Sequence, residues 1–155
     1  MYYTTYRLCG YGMIPSLVDG FLPTGQHEAT WKEVVDRFGT TPNRRRLLDG
    51  ALMALKHLRD ADVTDAWLDG SMVTDKERPS DYDLCYAYWQ ADRDKLDPLL
   101  RGPLALTQNG RQGMKRKYLG DVLPQDRPDG GFLEFWQQDH GIPKGIIKVR
   151  MDSLP

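Results

Sequence analysis

The amino-acid sequence predicts an α/β (α+β) protein, a mixed sheet with helices packed on it. Three observations carry that expectation. Two stretches between Thr30 and Asp60 repeat their apolar residues with a period near 3.6, and residues 81–89 alternate with a period of two. The marked segments follow the order helix, strand, loop, strand, helix, strands. The 155 residues, 40% apolar and 28% charged, suit one domain spanning 1–155, and no repeat, low-complexity tract or linker divides it. A mean hydropathy of −0.59 argues against a bundle of membrane spans, and the 40% apolar share against wholesale disorder.

Residues 1–28 are rich in Tyr, Gly and Pro, with Arg7, Asp19 and Glu28 their only charges, and predict an extended or strand-like N-terminal arm. Thr30 and Glu33 form a capping box, Trp31, Val34, Val35 and Phe38 make one apolar face, and Gly39 ends the first helix. Thr41 caps a second helix with Pro42 at its first position; Leu47, Leu48, Ala51, Leu52, Leu55 and Leu58 form its buried stripe up to about Asp60. A strand is expected over Val63–Asp69, halted by Gly70-Ser71, and Thr74–Ser80 is expected to be a loop. Asp81–Trp89 reads as a strand with Asp81, Asp83, Cys85 and Ala87 on one face and Tyr82, Leu84, Tyr86 and Tyr88 on the other. A short helix from Ala91, a turn at Gly110–Gly113, and strands over Lys115–Leu123, Gly131–Gln137 and Gly145–Met151 complete the expectation.

The net charge of −1 gives no overall reason to expect a nucleic-acid or anionic-membrane partner. Its distribution is uneven: residues 61–100 carry net −6 and residues 101–120 net +5. Two solvated surfaces of opposite sign are the plain explanation. Only Cys9 and Cys85 are present, so no disulfide framework is expected, and with no secretory signal in view the expected compartment is the cytoplasm.

Chemistry concentrates in Gly70-Ser71, nine residues, then Asp81-Tyr82-Asp83-Leu84. A strand start with two carboxylates on one face needs a counter-charge, and Mg²⁺ supplies one while favouring carboxylate and phosphate oxygens. Gly70-Ser71, at a strand end entering a helical turn, can offer N–H groups and a hydroxyl to phosphate. Two metals between a polyphosphate and a hydroxyl are the arrangement for phosphoryl or nucleotidyl transfer.

The Gly-Ser, spacer, Asp-x-Asp pattern resembles the nucleotidyltransferase superfamily that includes DNA polymerase beta. It is similar in particular to the minimal bacterial nucleotidyltransferases of toxin–antitoxin pairs, whose motif ends Ser-Asp-x-Asp-Leu, as Ser80–Leu84 does. A second resemblance, to a group of short bacterial and phage nucleotidyltransferase-like proteins, rests on three stretches. These are Leu22–Trp31, then Asp69-Gly70-Ser71 with Thr74-Asp75-Lys76, then Pro143-Lys144-Gly145.

The resemblance implies a nucleotidyltransferase-like fold and a site in which Asp81 and Asp83 bind metal and Gly70 and Ser71 contact nucleotide phosphates. Where the minimal enzymes carry Arg-x-Gly, this chain has Val73-Thr74-Asp75-Lys76, and Lys76 is the candidate stand-in for that charge. A third carboxylate is expected on a later strand, Asp121 in preference to Glu134, joining the catalytic metal. The implied activity is transfer of an NMP from an NTP to a hydroxyl acceptor (protein, RNA or small molecule), with Mg²⁺, or Mn²⁺ in its place. The alternative is a nucleotidyltransferase-like binding protein without turnover, such as an antitoxin or a phage or defence component.

Other candidates are weaker. Arg44, Arg45 and Arg46 sit where the helix dipole disfavours cations, so they are either solvated or a phosphate or nucleic-acid contact. Lys115, Arg116 and Lys117 would grip a triphosphate or RNA, or protect an edge strand. His27-Glu28 lacks the second His of a zinc motif, and His57 and His140 are expected to be structural or exposed. Trp31, Trp67, Trp89 and Trp136 are expected to pack, and Cys85 to be a small buried residue.

Overall fold

A computed structural model describes residues 14–155; Arg7, Cys9 and the first half of the expected N-terminal arm lie outside it. The elements run β1 (Gly25–Ala29), α1 (Trp31–Phe38), α2 (Pro42–Asp60), β2 (Asp65–Asp69), β3 (Asp83–Ala87), α3 (Gln108–Tyr118), β4 (Asp121–Gln125), α4 (Gly131–Trp136), β5 (Gln138–Asp139), β6 (Ile142–Pro143) and β7 (Gly145–Arg150). Five strands form one mixed sheet in the order β1-β7-β2-β3-β4, and β5-β6 is a small separate ribbon. The class is α+β, as the sequence predicts.

Both early helices form for the expected reasons. Thr30 Oγ1 accepts from the Glu33 N–H and the Glu33 carboxylate accepts from the Thr30 N–H, a complete capping box. Thr41 Oγ1 caps α2 by accepting from the Arg44 N–H at 3.1 Å. Their apolar faces bury Val34, Phe38, Leu47, Leu48, Leu55 and Leu58, while Leu52 lies at the edge of the core. Burial of five aliphatic side chains from these two helices contributes roughly 1.5–3 kcal/mol each, which anchors them to the sheet.

Strand β3 is covered on both faces: Leu84, Cys85, Tyr86 and Ala87 are all inaccessible, so its alternation reports two packed layers rather than one. Buried Tyr82 donates its hydroxyl to the Tyr118 carbonyl at 2.7 Å and Tyr86 donates to that of Leu100. The arm's described end becomes β1, which pairs in parallel with β7.

Four expectations fail between residues 91 and 137. Lys115–Leu123 is not one strand: residues through Tyr118 belong to α3, Leu119 turns the chain at φ 67°, and only Asp121 onward is extended. Thr107 caps that helix, and Gly110, Met114 and Tyr118 form its buried stripe at i, i+4 and i+8. The expected Gly110–Gly113 turn is therefore helix interior. Gly113 sits there because a β-carbon would lie 2.7 Å from Leu99. Gly131–Gln137 is helix α4, where Phe132 and Trp136 meet one turn apart with ring centroids 5.7 Å apart. Around the expected helix from Ala91, only a 3₁₀ turn at Pro98–Leu100 forms, capped by Asp97.

Candidate functional site

Strand register brings three carboxylates to one level. Asp69 ends β2 and is the Cα partner of Asp83, which begins β3; Asp83 is in turn the partner of Asp121, which begins β4. Neighbouring strands lie about 4.8 Å apart, so the three form a row across one end of the sheet. The sequence indicated Asp83 and Asp121 but not Asp69, although Asp69 immediately precedes Gly70-Ser71 on a strand whose end was marked.

The two outer members have cations. Lys144 Nζ reaches Asp69 Oδ1 at 2.5 Å, with side chains only 11% and 4% exposed. Burial outweighs that cation and holds the Asp69 carboxyl above the usual carboxylate range. Arg111 donates to Asp121 Oδ2 at 2.7 Å, and Lys115 lies 3.9 Å from the same atom and 3.0 Å from Asp81 Oδ2. Asp81 and Asp121 raise the affinity of both cations for their protons, so these stay charged.

Asp83, in the centre, has no hydrogen bond or ion pair from any described side chain. Burial first, then the charges of Asp81, Asp121 and Asp69, push its carboxyl up to about 6.

Gly70 is required beside it. Its φ is +78°, and a β-carbon would come 2.5 Å from Asp83 Oδ2. From Gly70 the chain enters a single 3₁₀ turn, Gly70–Val73, whose exit is held by Arg44. This arginine is buried, donating to the carbonyls of Met72 at 2.8 Å, Thr74 at 2.9 Å and Lys76 at 2.5 Å. Neither expectation for Arg44 holds: it is neither solvated nor free for phosphate, but shapes the turn that carries Ser71 and Lys76. Arg45 and Arg46 are exposed.

A cleft of about 470 Å³ opens over this arrangement. Gly70, Ser71, Lys76 and Asp83, all sequence candidates, line it together with Asp69 and Lys144, and Phe21, Phe135 and Trp136 form an aromatic side. Asp81 and Asp121 are not on its wall; they lie on the α3 side, against Arg111 and Lys115. Glu134 is exposed on α4, not on a strand, and does not line the cleft. Lys115, Arg116 and Lys117 protect no edge strand, because they lie on α3, and Lys117 turns away to Asp97, which also accepts from the Tyr118 hydroxyl.

The remaining candidates are structural. His27 Nε2 lies 2.6 Å from the Pro23 carbonyl, His57 Nε2 accepts from the Asp97 N–H, and the His140 side chain is 93% exposed. Trp31, Trp67 and Trp136 are buried whereas Trp89 is half exposed. Burial pushes the Cys85 thiol up, so it is no thiolate nucleophile.

Hard carboxylate oxygens suit Mg²⁺, which takes one or two protein carboxylates and completes its shell with water and phosphate. Among the described residues, no three His, Cys, Asp or Glu side chains are grouped closely enough to hold a metal ion unaided. No helix among them is long and apolar enough to cross a membrane.

Fold and site together define an α+β protein with a row of carboxylates at one end of a mixed sheet and a cleft above it. The chain belongs to a family described as a family of unknown function (DUF6932), whose model matches residues 15–150. No curated protein and no solved structure matches it.

Proposed function

We propose that the protein is a Mg²⁺-dependent nucleotidyltransferase that moves a nucleoside monophosphate from an NTP to a hydroxyl of a protein, an RNA or a small molecule, breaking the bond between the α- and β-phosphates and releasing pyrophosphate. The observation that carries this reading is Asp83, a carboxylate without a side-chain partner among the described residues, set between two others and packed against the glycine of a Gly-Ser turn. Asp83 and Asp81 would hold the metal, with Asp121 released from Arg111 to join them, and Gly70, Ser71 and Lys76 would contact the phosphates. Bound there, the ion would neutralise phosphate charge and lower the pKa of the attacking hydroxyl. The chain's own part is to hold the triphosphate against the turn and exclude water beneath the aromatic side. The cytoplasm, where NTPs are abundant, is the compartment this reading takes, and it needs no membrane.

Incubation with α-labelled NTPs, Mg²⁺ or Mn²⁺ and candidate acceptors tests it. Label transfer lost in Asp83→Asn and Asp81→Ala supports the reading; transfer that survives both substitutions overturns it.

A second reading has its own observation. Arg111 and Lys115 already neutralise Asp121 and Asp81, as in a nucleotidyltransferase-like protein that binds a ligand or partner without turnover, an antitoxin or defence component. NTP binding without any transfer, unchanged in Asp81→Ala, selects this alternative.

A further inference from the structure

Pro143-Lys144-Gly145 is marked in the sequence but has no part in the function proposed above. In the fold it is fixed from two sides. The Gly145 N–H donates to the Leu22 carbonyl and the Lys144 N–H to the Gln137 carbonyl, both at 2.9 Å. A β-carbon at Gly145 would strike the Pro23 carbonyl and lie 2.8 Å from His27 Nε2, so glycine lets the Leu22–His27 segment close on Lys144. Motifs far apart in sequence thus meet to aim one side chain.

The Lys144 ammonium has a single acceptor among the described residues, Asp69 Oδ1, and it lines the cleft. An ammonium carries three donors, and a buried one normally has them filled. Lys76 Nζ and Ser71 Oγ, on the same cleft wall, have no partner among the described residues. Against these donors stand four carboxylates, Asp69, Asp75, Asp83 and Asp139, facing two ammonium groups. A bare polyphosphate would meet a wall of its own sign; one already carrying a divalent cation would not.

We propose that Lys144 binds the outer phosphates of a metal-bound polyphosphate in this cleft, with Asp69 as the positioning residue that holds its ammonium in place. The assignment rests on the nucleotidyl-transfer reading and deepens it: the cleft recognises the metal–triphosphate unit rather than the base.

Calorimetry with inorganic tripolyphosphate, with Mg²⁺ and with EDTA, tests this on the full chain, and Mg–ATP is titrated in parallel. Lys144→Met alone would strand a buried carboxylate and threaten the fold, so the informative variants are Lys144→Arg, Asp69→Asn and the double Asp69→Asn/Lys144→Met. We expect Mg²⁺-dependent tripolyphosphate binding that weakens about tenfold or more in the double variant, the loss of a charge-assisted hydrogen bond. Lys144→Arg should retain most of it, and Asp69→Asn should lose less than the double variant. Double-variant binding equal to wild type overturns the role of Lys144, as does a loss already complete in Asp69→Asn. Equal binding with EDTA overturns the metal requirement. Wild-type binding of Mg–ATP but not of tripolyphosphate overturns this assignment and leaves nucleotidyl transfer standing. Binding of neither overturns both.

Discussion

At one end of the sheet Asp65 begins β2 with its carboxylate fully occupied: Gln90 Nε2 donates to Oδ2 at 2.7 Å and Lys148 Nζ lies 3.3 Å from Oδ1. At the other end of the same ladder, where β3 begins, Asp83 has three carboxylates around it and receives no donor from any described side chain. Folding alone would treat both ends alike, because an enclosed charge without a partner is costly. The first end is arranged for stability. The second tolerates an unfavourable charge beside a cleft, which is where stability is commonly given up for binding or chemistry.

The largest effect expected from disturbing this contrast is at Arg44, which ties the turn of the acidic end to α2. Arg44→Met strands the carbonyls of Met72, Thr74 and Lys76 and should cost on the order of 2–4 kcal/mol in urea unfolding. It should also weaken any ligand of the cleft, since Ser71 and Lys76 ride on that turn. A loss below about 1 kcal/mol would mean that water replaces the guanidinium easily and that Arg44 does not hold the site.

Asp83→Asn should do the opposite and raise stability. Its carboxyl rises from an ordinary 3.8 to about 6 in the fold, so ionisation is disfavoured in the native state relative to the unfolded chain. Below about pH 4 both states hold the proton and there is no penalty; the penalty grows between pH 4 and 6 and is full above that. Without divalent cation, the variant should therefore gain about 1–3 kcal/mol at pH 7.5 and almost nothing near pH 4. A gain independent of pH would show that something other than the charge was relieved.

Much of this arrangement could be seen in the residues. The capping box of α1, the threonine N-cap of α2 and the apolar stripes of both are local signals and formed as expected, as did the strand–turn unit around Gly70-Ser71. Failure came where local signals conflict. The two glycines of α3 mimic a turn, yet they are there to let Leu99 and Leu104 approach, which only tertiary contact reveals. Phe132, Leu133, Phe135 and Trp136 carry β propensity but pack at helical spacing. No local signal joins Asp69 to Lys144, because they lie 75 positions apart, and pairing at that separation follows from sheet order alone.

The smallest effect is expected at Asp65, and it completes the contrast. Asp65→Asn keeps the shape, and the new amide can turn its oxygen to Gln90 Nε2, whose own Oε1 stays with the Thr64 and Asp65 N–H groups, while Lys148 loses a partly exposed partner. Partly exposed pairs of this kind are worth about 0–1 kcal/mol. The substitution should therefore destabilise by less than about 1 kcal/mol, opposite in sign to Asp83→Asn under the same conditions. The comparison is sharpest in one chain. If the two substitutions are additive in the double variant, the ends of the sheet are independent and the penalty at Asp83 is local to the cleft. If Asp65→Asn instead stabilises as Asp83→Asn does, general relief of acidic charge explains both, and Asp83 loses its distinction.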